Sequence, residues 1–278
     1  MKEWIFRCPL CGGKLSPREH QAVCEKGHSF DVARQGYVHL LPVNKMHSKL
    51  PGDSREMVES RRRFLEAGYY APFREELCRL ASQCAAALNA PQGEGLTLCD
   101  AGCGEGYYTA GLETALPQAD VCGFDISKLA VKVAAGKYKG IQWAVASNFA
   151  IPLEEESVQL LTDVFSPLAA QEFARVVKPG GYFLYAVPGE RHLYGLKEIL
   201  YQEPYENPHR ETEYPGFRFV DRTAVRGEIW VPDGKTAMDL FSMTPYYWKT
   251  GVEGGKRLGE THGFSTEIAF DFLVYQKQ

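Results

Sequence analysis

Four potential metal ligands lie close together near the start of the chain. Cys8 and Cys11 form a Cys-x2-Cys pair, and Cys24 and His28 follow twelve residues later as a Cys-x3-His pair. Thiolate and imidazole groups at this spacing are typical of a closed tetrahedral zinc site, which leaves no open position for a substrate. We therefore expect a structural zinc ion, which would also supply the folding energy of so small a module. Two alternatives are that His20 replaces His28 as the fourth ligand, and that the thiols are free on a flexible arm.

A second pattern joins an apolar stretch, Leu96–Asp100, to a glycine-rich loop and then to a helix that begins at Tyr107. The residues of interest are Asp100, Gly102, Gly104, Glu105 and Gly106. Glycine lets the backbone approach a ligand closely, and the amides of a helix N-terminus face that ligand. A dinucleotide site of the Gly-x-Gly-x-x-Gly type would need glycine where Tyr107 stands. The loop instead suits S-adenosylmethionine, which lacks a pyrophosphate and whose sulfonium and amino groups the carboxylates at 100 and 105 can help neutralise.

Polar residues also end the next two apolar stretches. Asp125 ends Asp120–Asp125 and is placed to accept hydrogen bonds from both hydroxyls of a ribose. Asn148 follows Ile141–Ala146, where an adenine edge would be read. The stretch Phe173–Gly181 then precedes a fifth strand, as in many methyltransferases that bind this cofactor. These elements in order favour an S-adenosylmethionine site, and the alternative is a nucleotide-binding or vestigial Rossmann domain.

The elements that must position these residues alternate in the manner of βαβ units. We predict strands at Leu96–Asp100, Asp120–Asp125, Ile141–Ala146, Val158–Val164 and Tyr182–Val187, and helices at Tyr107–Leu116, Lys128–Lys137 and Ala169–Val177. Pro179-Gly180-Gly181 should end the last of these helices. The runs Gly227–Val231 and Glu267–Tyr275 suggest a closing antiparallel hairpin. The sequence therefore predicts an α/β fold with a mostly parallel sheet.

Three regions follow from this pattern. Residues 1–40 form the expected zinc-binding domain, and residues 41–75 form a linker that contains a polar loop from Asn44 and a helix capped by Asp53 or Ser54. Residues 76–278 form the expected cofactor-binding domain. Residues 1–74 contain 13 Lys and Arg against 8 Asp and Glu, whereas the whole chain has a net charge of −4. A basic front on an acidic body suits a polyanionic partner, although such surfaces are usually only solvated.

The composition favours a cytoplasmic protein. No run of residues approaches the roughly 18–20 apolar residues of a membrane span, and the first five residues do not resemble a signal peptide. The chain has eight cysteines, but three of them lie in the zinc pattern and five are scattered through predicted helices and strands. This distribution favours metal ligands and small buried side chains in a reducing compartment over disulfides.

The chain resembles the bacterial 23S rRNA guanine-N1 methyltransferases of the RlmA (RrmA) type. The resemblance covers nearly the whole chain and weakens after about residue 200. Besides the zinc pattern and the glycine loop through Tyr108, it rests on Phe30–Pro42, Pro51–Ser54, Glu66–Tyr70, Pro188-Gly189, Arg191–Leu193 and Met243–Pro245. Methyltransferases in general share only the central part of this series.

The resemblance implies a Rossmann-like class I methyltransferase fold, with a mostly parallel sheet of seven strands, behind a small N-terminal zinc ribbon that helps to bind RNA. It also implies a homodimer, and methyl transfer from S-adenosylmethionine to N1 of a guanine in a hairpin loop of 23S rRNA. Tyr70, Gly104, Glu105 and His192 are implied as cofactor contacts. Without the family, Tyr70 would be interpreted as a core aromatic residue and His192 as a satisfied surface histidine.

Guanine N1 carries a proton at neutral pH, and this proton must leave as the new bond forms. The target pocket should follow the fourth strand, where Phe165 could stack on an unpaired guanine and Asp163 could accept its proton. Asp163 could equally be a turn residue at the end of a strand. Arg61-Arg62-Arg63 could contact phosphates or form an ordinary solvated helix face.

Two other functions remain open at this point. The sheet motifs alone would permit a small-molecule methyltransferase, although the zinc pattern and the basic linker would then have no purpose. A zinc-ribbon RNA-binding factor with an inactive cofactor domain is also conceivable, but the intact glycine loop and Asp125 count against it.

Overall fold

The computed structural model of the chain describes residues 3–42, 51–88, 95–208 and 213–278. The polar loop predicted from Asn44 lies largely outside the described residues. The described part of the chain contains a small antiparallel sheet near the N-terminus and a large mixed sheet flanked by helices. No helix within it is both long and apolar enough to cross a lipid bilayer.

Residues 3–42, which we call the N-terminal module, contain four short strands. They are β1 (Leu15–Arg18), β2 (Gln21–Cys24), β3 (Ser29–Asp31) and β4 (Tyr37–His39). The first three form an antiparallel sheet in the order β1-β2-β3, whereas β4 leaves the module and joins the large sheet.

The remaining elements alternate along the chain. The strands are β5 (Thr97–Ala101), β6 (Asp120–Asp125), β7 (Gln142–Val145), β8 (Val158–Val164), β9 (Val177–Pro188), β10 (Phe217–Val231) and β11 (Phe264–Lys277). The helices are α1 (Arg55–Glu66), α2 (Ala71–Ala87), α3 (Tyr107–Ala115), α4 (Lys128–Lys137), α5 (Ala170–Val176), α6 (Tyr194–Leu200), α7 (Gly234–Ser242) and α8 (Val252–Gly259), with a 3-10 helix at Pro245–Trp248.

The large sheet has the order β10-β11-β9-β8-β5-β6-β7-β4. The strands from β4 to β9 run parallel, and β11 and β10 are antiparallel to their neighbours. This confirms the predicted α/β fold with a mostly parallel sheet. The predicted seven strands are present as β5 to β11, and β4 adds an eighth because it pairs with the edge strand β7.

The predicted elements agree closely with those observed, with two informative differences. The helix expected to stop at Pro179-Gly180-Gly181 already ends at Val176, and β9 begins at Val177. The Pro-Gly-Gly segment lies inside β9, where the pairing with β8 shifts register. The closing hairpin is also much longer than predicted, because β10 and β11 pair along their whole lengths. Ser54, one of the two predicted caps, accepts a hydrogen bond from the Met57 amide at the start of α1.

Apolar side chains fill both faces of the large sheet. Because successive strand residues point to opposite faces, neighbouring residues belong to different clusters. One cluster contains Leu98, Leu160 and Leu184, and the other contains Cys99, Leu161 and Phe183. The carboxyl ends of the parallel strands therefore leave a rigid edge on which the polar residues identified in the sequence can lie.

Candidate active site and metal centre

The four residues predicted to bind zinc come together in the N-terminal module. Their ligand atoms all lie within 4.8 Å of one another, and no described residue other than Cys8, Cys11, Cys24 and His28 joins the group. His28 Nδ1 is 3.5 Å from Cys8 Sγ and 3.4 Å from Cys24 Sγ. Tetrahedral zinc bonded to sulfur at about 2.3 Å holds its ligand atoms roughly 3.4–3.8 Å apart, so this donor set fits the ion. His20, the alternative fourth ligand, is not in the cluster.

Two tight turns aim the ligands at one point. The Gly12 amide donates to the Cys8 carbonyl at 2.8 Å, and the Gly27 amide donates to the Cys24 carbonyl at 2.9 Å. Both glycines have a positive φ, of 70° and 81°. The side chains of Cys8 and Cys24 are buried. Four protein ligands fill a tetrahedral coordination shell, which suits a structural role.

Two positions of the glycine loop after β5 require glycine. Gly102 and Gly106 have φ values of 77° and 84°, in the left-handed region that favours glycine. A Cβ at Gly102 would lie 2.3 Å from Ser166 Cβ, and one at Gly106 would lie 2.8 Å from the ring of Trp143. The backbone thus turns tightly between the ends of β5 and β8 before α3 begins.

Asp125, at the end of β6, fixes the middle of this loop. Its Oδ2 accepts a hydrogen bond from the Gly104 amide at 3.0 Å, and its Oδ1 accepts one from the Ser127 amide at 2.7 Å. Burial raises the pKa of this carboxyl, and the two amide hydrogen bonds oppose that effect. Each carboxylate oxygen still has a lone pair for a further donor, so the position remains compatible with the predicted ribose contact.

Asp100 lies beneath the loop and not on its surface. Its Oδ1 accepts from the Thr162 hydroxyl at 2.8 Å and its Oδ2 accepts from the Thr109 hydroxyl at 2.5 Å, which ties β5 to β8 and α3. Burial raises its pKa to about 6. Both oxygens are already engaged, so the sulfonium or amino contact expected of Asp100 would have to share them.

Glu105 has the electrostatic environment expected of a cation-binding carboxylate. The residue is buried, and its Oε2 has no hydrogen-bond partner among the described residues. Burial raises its pKa to about 7, and the nearby guanidinium of Arg61, 3.9 Å from Oε2, partly opposes this. Arg61 is at the same time paired with Asp53, just before α1. A positively charged group of a ligand would satisfy the free oxygen.

The sequence did not indicate that Arg61 lies beside Glu105. Each of the three neighbouring arginines pairs with a carboxylate of the chain: Arg61 with Asp53, Arg62 with Glu66, and Arg63 with Asp239 on α7. Only one of them turns towards the glycine loop. Contacts of this run with RNA phosphates stay a prediction.

Tyr70 and His192 face one another across the edge of the sheet. The Tyr70 hydroxyl is 3.4 Å from His192 Nε2, and His192 Nδ1 accepts from the Ala269 amide at 3.3 Å. An acceptor at Nδ1 means that the proton of the neutral ring lies on Nε2 and can be donated. Burial is the main cause that lowers the pKa of His192 to about 3. Tyr70 is also buried, so it is at once a core aromatic residue and a contact of His192.

Phe165 lies beside His192 and is still partly open to solvent. The residue is 43 % exposed, and its ring stacks on Phe73, with centroids 5.5 Å apart, and on His192, with centroids 6.1 Å apart. Its φ of 57° is unusual for a residue other than glycine and turns the ring back over the edge of the sheet. This is a flat apolar surface of the kind on which a base can stack.

Asp163 does not reach that surface. It is fully buried, and its Oδ1 accepts from the amide and the hydroxyl of Ser166 at 3.0 and 2.7 Å. Burial raises its pKa to about 7, and Oδ2 has no partner among the described residues. In this conformation Asp163 holds the turn at 163–166, as its alternative interpretation stated. Asn148 joins the same turn, donating from Nδ2 to the Ser166 hydroxyl at 2.9 Å and to the Pro167 carbonyl at 2.8 Å.

Two protein families match the chain. Residues 6–49 match the zinc-ribbon family described as RlmA, N-terminal, and residues 92–241 match the family described as methyltransferase domain. The first match includes the four residues of the metal cluster, and the second includes the glycine loop.

Three relatives extend this similarity. The 23S rRNA (guanine(748)-N(1))-methyltransferase of Streptomyces fradiae is 36% identical over 196 residues, which cover 70% of this chain and 67% of the relative. A protein of Micromonospora griseorubida, named for the same guanine-N(1) activity on 23S rRNA, is 36% identical over 212 residues, 70% of this chain and 69% of its own. YxjB of Bacillus subtilis, which is also named for this activity, is 28% identical over 98% of this chain and 97% of its own.

Proposed function

Because the chain belongs to the family of RlmA-type 23S rRNA (guanine-N1-)-methyltransferases, we propose that it transfers a methyl group from S-adenosylmethionine to N1 of a guanine in a hairpin loop of 23S rRNA. Zinc is the second cofactor and has a structural role. The observation that carries the proposal is the pairing, in one chain, of the four-ligand metal cluster with a glycine loop that ends beside the free carboxylate oxygen of Glu105.

The residues around the proposed cofactor site have separate roles. Gly102 and Gly104 let the backbone approach the cofactor. Asp125 accepts hydrogen bonds from the ribose hydroxyls, and Asn148 forms a hydrogen bond with the edge of the adenine. The buried Glu105 binds the positively charged methionine end, since a buried carboxylate oxygen that lacks a hydrogen-bond partner among the described residues favours a cationic donor. Tyr70 and His192, which lie side by side, are further contacts of the cofactor in this proposal. When bound, S-adenosylmethionine supplies an activated methyl group on its sulfonium.

In this proposal the guanine that receives the methyl group stacks on the ring of Phe165. A base in a hairpin loop is already partly unstacked, so presenting it costs less than flipping a base out of a duplex. The N1 proton then needs an acceptor. Asp163 can serve only if the turn at 163–166 opens and exposes it, because the carboxylate is buried beneath Ser166 in the described conformation. His192 is neutral and has its proton on Nε2, so it is a hydrogen-bond donor and not the base.

Three further parts of the proposal concern the whole protein. Its functional division is an RNA-recognising zinc domain at 1–40, a linker with a helix at 41–75, and a methyltransferase domain at 76–278. The active form is a homodimer, as the resemblance implies. The protein acts in the cytoplasm, which is consistent with an rRNA substrate and with eight cysteines of which none forms a disulfide. Light scattering coupled to size-exclusion chromatography tests the homodimer.

The proposed activity is tested with hairpin fragments of 23S rRNA and labelled S-adenosylmethionine. We expect label in the RNA and a reverse-transcription stop at one loop guanine, since N1-methylguanine cannot pair. The same mapping on rRNA from cells with and without the gene identifies that guanine. Binding of the cofactor with labelling of small metabolites alone would favour a small-molecule methyltransferase. Binding of RNA without any binding of the cofactor would favour an RNA-binding factor.

A further inference from the structure

The N-terminal module holds the strand that leads to Asn148. Val38 of β4 pairs in parallel with Ala144 of β7, and the Leu40 amide donates to the Val145 carbonyl at 2.9 Å. The Gln142 side chain adds two bonds, since its Oε1 accepts from the Ile5 amide at 2.9 Å and its Nε2 donates to the Glu3 carbonyl at 3.0 Å. Both ends of the module thus meet at β7.

The module also holds the chain that follows Asn148. The Arg7 amide, next to the ligand Cys8, donates to the Pro152 carbonyl at 2.7 Å, and the Arg7 side chain is paired with Glu154. Apolar packing supports these contacts. The buried ligands Cys8 and Cys24 belong to the same cluster as Ala146, Ile151 and Leu153, which flank Asn148 on both sides.

Residues 142–154, the segment held in this way, contact both the turn that follows β8 and the glycine loop. Asn148 is tied to the turn after β8 through its bonds to Ser166 and Pro167. The ring of Trp143 packs against Gly106 of the glycine loop and against Gly123 of β6, because a Cβ at these positions would approach it to within 2.8 and 2.7 Å. A shift of β7 would therefore displace both the residue that reads adenine and the floor of the glycine loop.

We infer that the N-terminal module, besides recognising RNA, is a positioning element of the cofactor site, and that zinc binding and S-adenosylmethionine binding are coupled through residues 142–154. The inference rests on the proposed function only in its choice of cofactor, and it makes no use of RNA. Cys8, held by zinc, would fix the adjacent Arg7 amide, and the bond from this amide to Pro152 would hold the segment in the geometry that the cofactor needs. Coupling free energies of this kind are reciprocal.

The first experiment measures the affinity of the full-length protein for S-adenosylhomocysteine by calorimetry, without RNA, in the zinc-loaded form and after treatment with a chelator. We expect roughly tenfold weaker binding in the zinc-free form. Reciprocally, a saturating concentration of S-adenosylhomocysteine should tighten zinc binding. The equilibrium constant for transfer of zinc from the protein to the chelator should fall by the same factor. Hydrogen exchange provides the local readout: zinc removal should speed the exchange of amides at 142–154 and leave those of β8 and β9 unchanged.

A pair of variants that keep all four metal ligands decides the matter even if chelation unfolds the chain. Gln142→Ala removes both bonds to residues 3–5, and we expect it to weaken S-adenosylhomocysteine binding several-fold with zinc still bound. Gln21→Ala makes the same chemical change on the exposed side of β2, away from the large sheet, and should have no effect.

Equal affinities for Gln142→Ala and Gln21→Ala would overturn the inference. So would an unchanged affinity in a folded zinc-free protein, or faster exchange confined to residues 3–42. The proposed methylation of rRNA can fail separately, because a protein that binds S-adenosylhomocysteine in a zinc-dependent manner but does not label RNA would refute only the substrate.

Discussion

Replacing Glu105 with glutamine should stabilise the cofactor-free protein at alkaline pH while weakening its affinity for the cofactor. Burial raises the pKa of Glu105 from 4.5 to about 7. Between these values the folded protein keeps a proton that the unfolded chain has lost. Stability contributed by this group is therefore greatest below pH 4.5, falls as the pH rises to about 7, and stays constant above it. At pH 8 this shift lowers the free energy of unfolding by about 3 kcal/mol.

Glutamine resembles the protonated acid and escapes that penalty at every pH. Urea unfolding of both proteins at pH 5 and pH 8 measures the effect. We expect Glu105→Gln to gain up to about 3 kcal/mol over the unsubstituted protein at pH 8 and much less at pH 5. Because hydrogen bonds to a charged group are worth about 1.5–3 kcal/mol, the affinity for S-adenosylhomocysteine should fall at least tenfold.

Two results would refute this reasoning. A Glu105→Gln protein that is no more stable than the original at pH 8 would mean that the carboxylate is adequately paired, most simply by Arg61. Stabilisation by the same amount at pH 5 and pH 8 would mean that the gain has a cause other than ionisation. Zinc binding depends on pH as well, but this dependence is common to both proteins and cancels in the difference.

Three other experiments test separate parts of the structure. Gly102→Ala should abolish measurable S-adenosylhomocysteine binding in calorimetry and lower the melting temperature, because its Cβ would lie 2.3 Å from Ser166 Cβ at a positive φ. Phe165→Ala should lower kcat/KM for the RNA hairpin by about 5- to 150-fold, the equivalent of one lost stacking contact, and leave the affinity for S-adenosylhomocysteine unchanged; a parallel loss of that affinity would count against the stacking role. A double-mutant cycle on Arg63 and Asp239, measured by urea unfolding, should give a coupling of about 1 kcal/mol, because the arginine is half exposed; no coupling would mean that α1 is held against α7 by apolar packing alone.

Local patterns in the sequence predicted the parts of the site that local chemistry determines. The Cys-x2-Cys and Cys-x3-His spacings gave the metal cluster because each pair closes on its own tight turn. The same reasoning puts Asp125, at the end of β6, and Asn148, shortly after β7, at one edge of the sheet, because the carboxyl ends of parallel strands meet there. Their contacts with the cofactor stay a prediction. Both predictions needed only the chain's periodicity and the order of its elements.

Contacts between distant segments could not be predicted in this way. Nothing in a run of three arginines distinguishes Arg61, which lies between Asp53 and Glu105, from its two neighbours. The burial of Asp163 likewise depends on a turn that folds Ser166 back over it. Strand β4 has only three residues, which is too few to show a periodic pattern. Its place in the large sheet can be recognised only from its pairing with β7.

The position of β4 has a consequence for the behaviour of the isolated methyltransferase domain. β7 is largely buried along its length and would be the last strand of the sheet without its neighbour. A fragment without residues 3–42 would present a row of unsatisfied backbone amides and carbonyls next to apolar side chains, which is a template for intermolecular strand addition and aggregation. We therefore expect such a fragment to aggregate more readily than the full-length chain, in which β4 covers this edge.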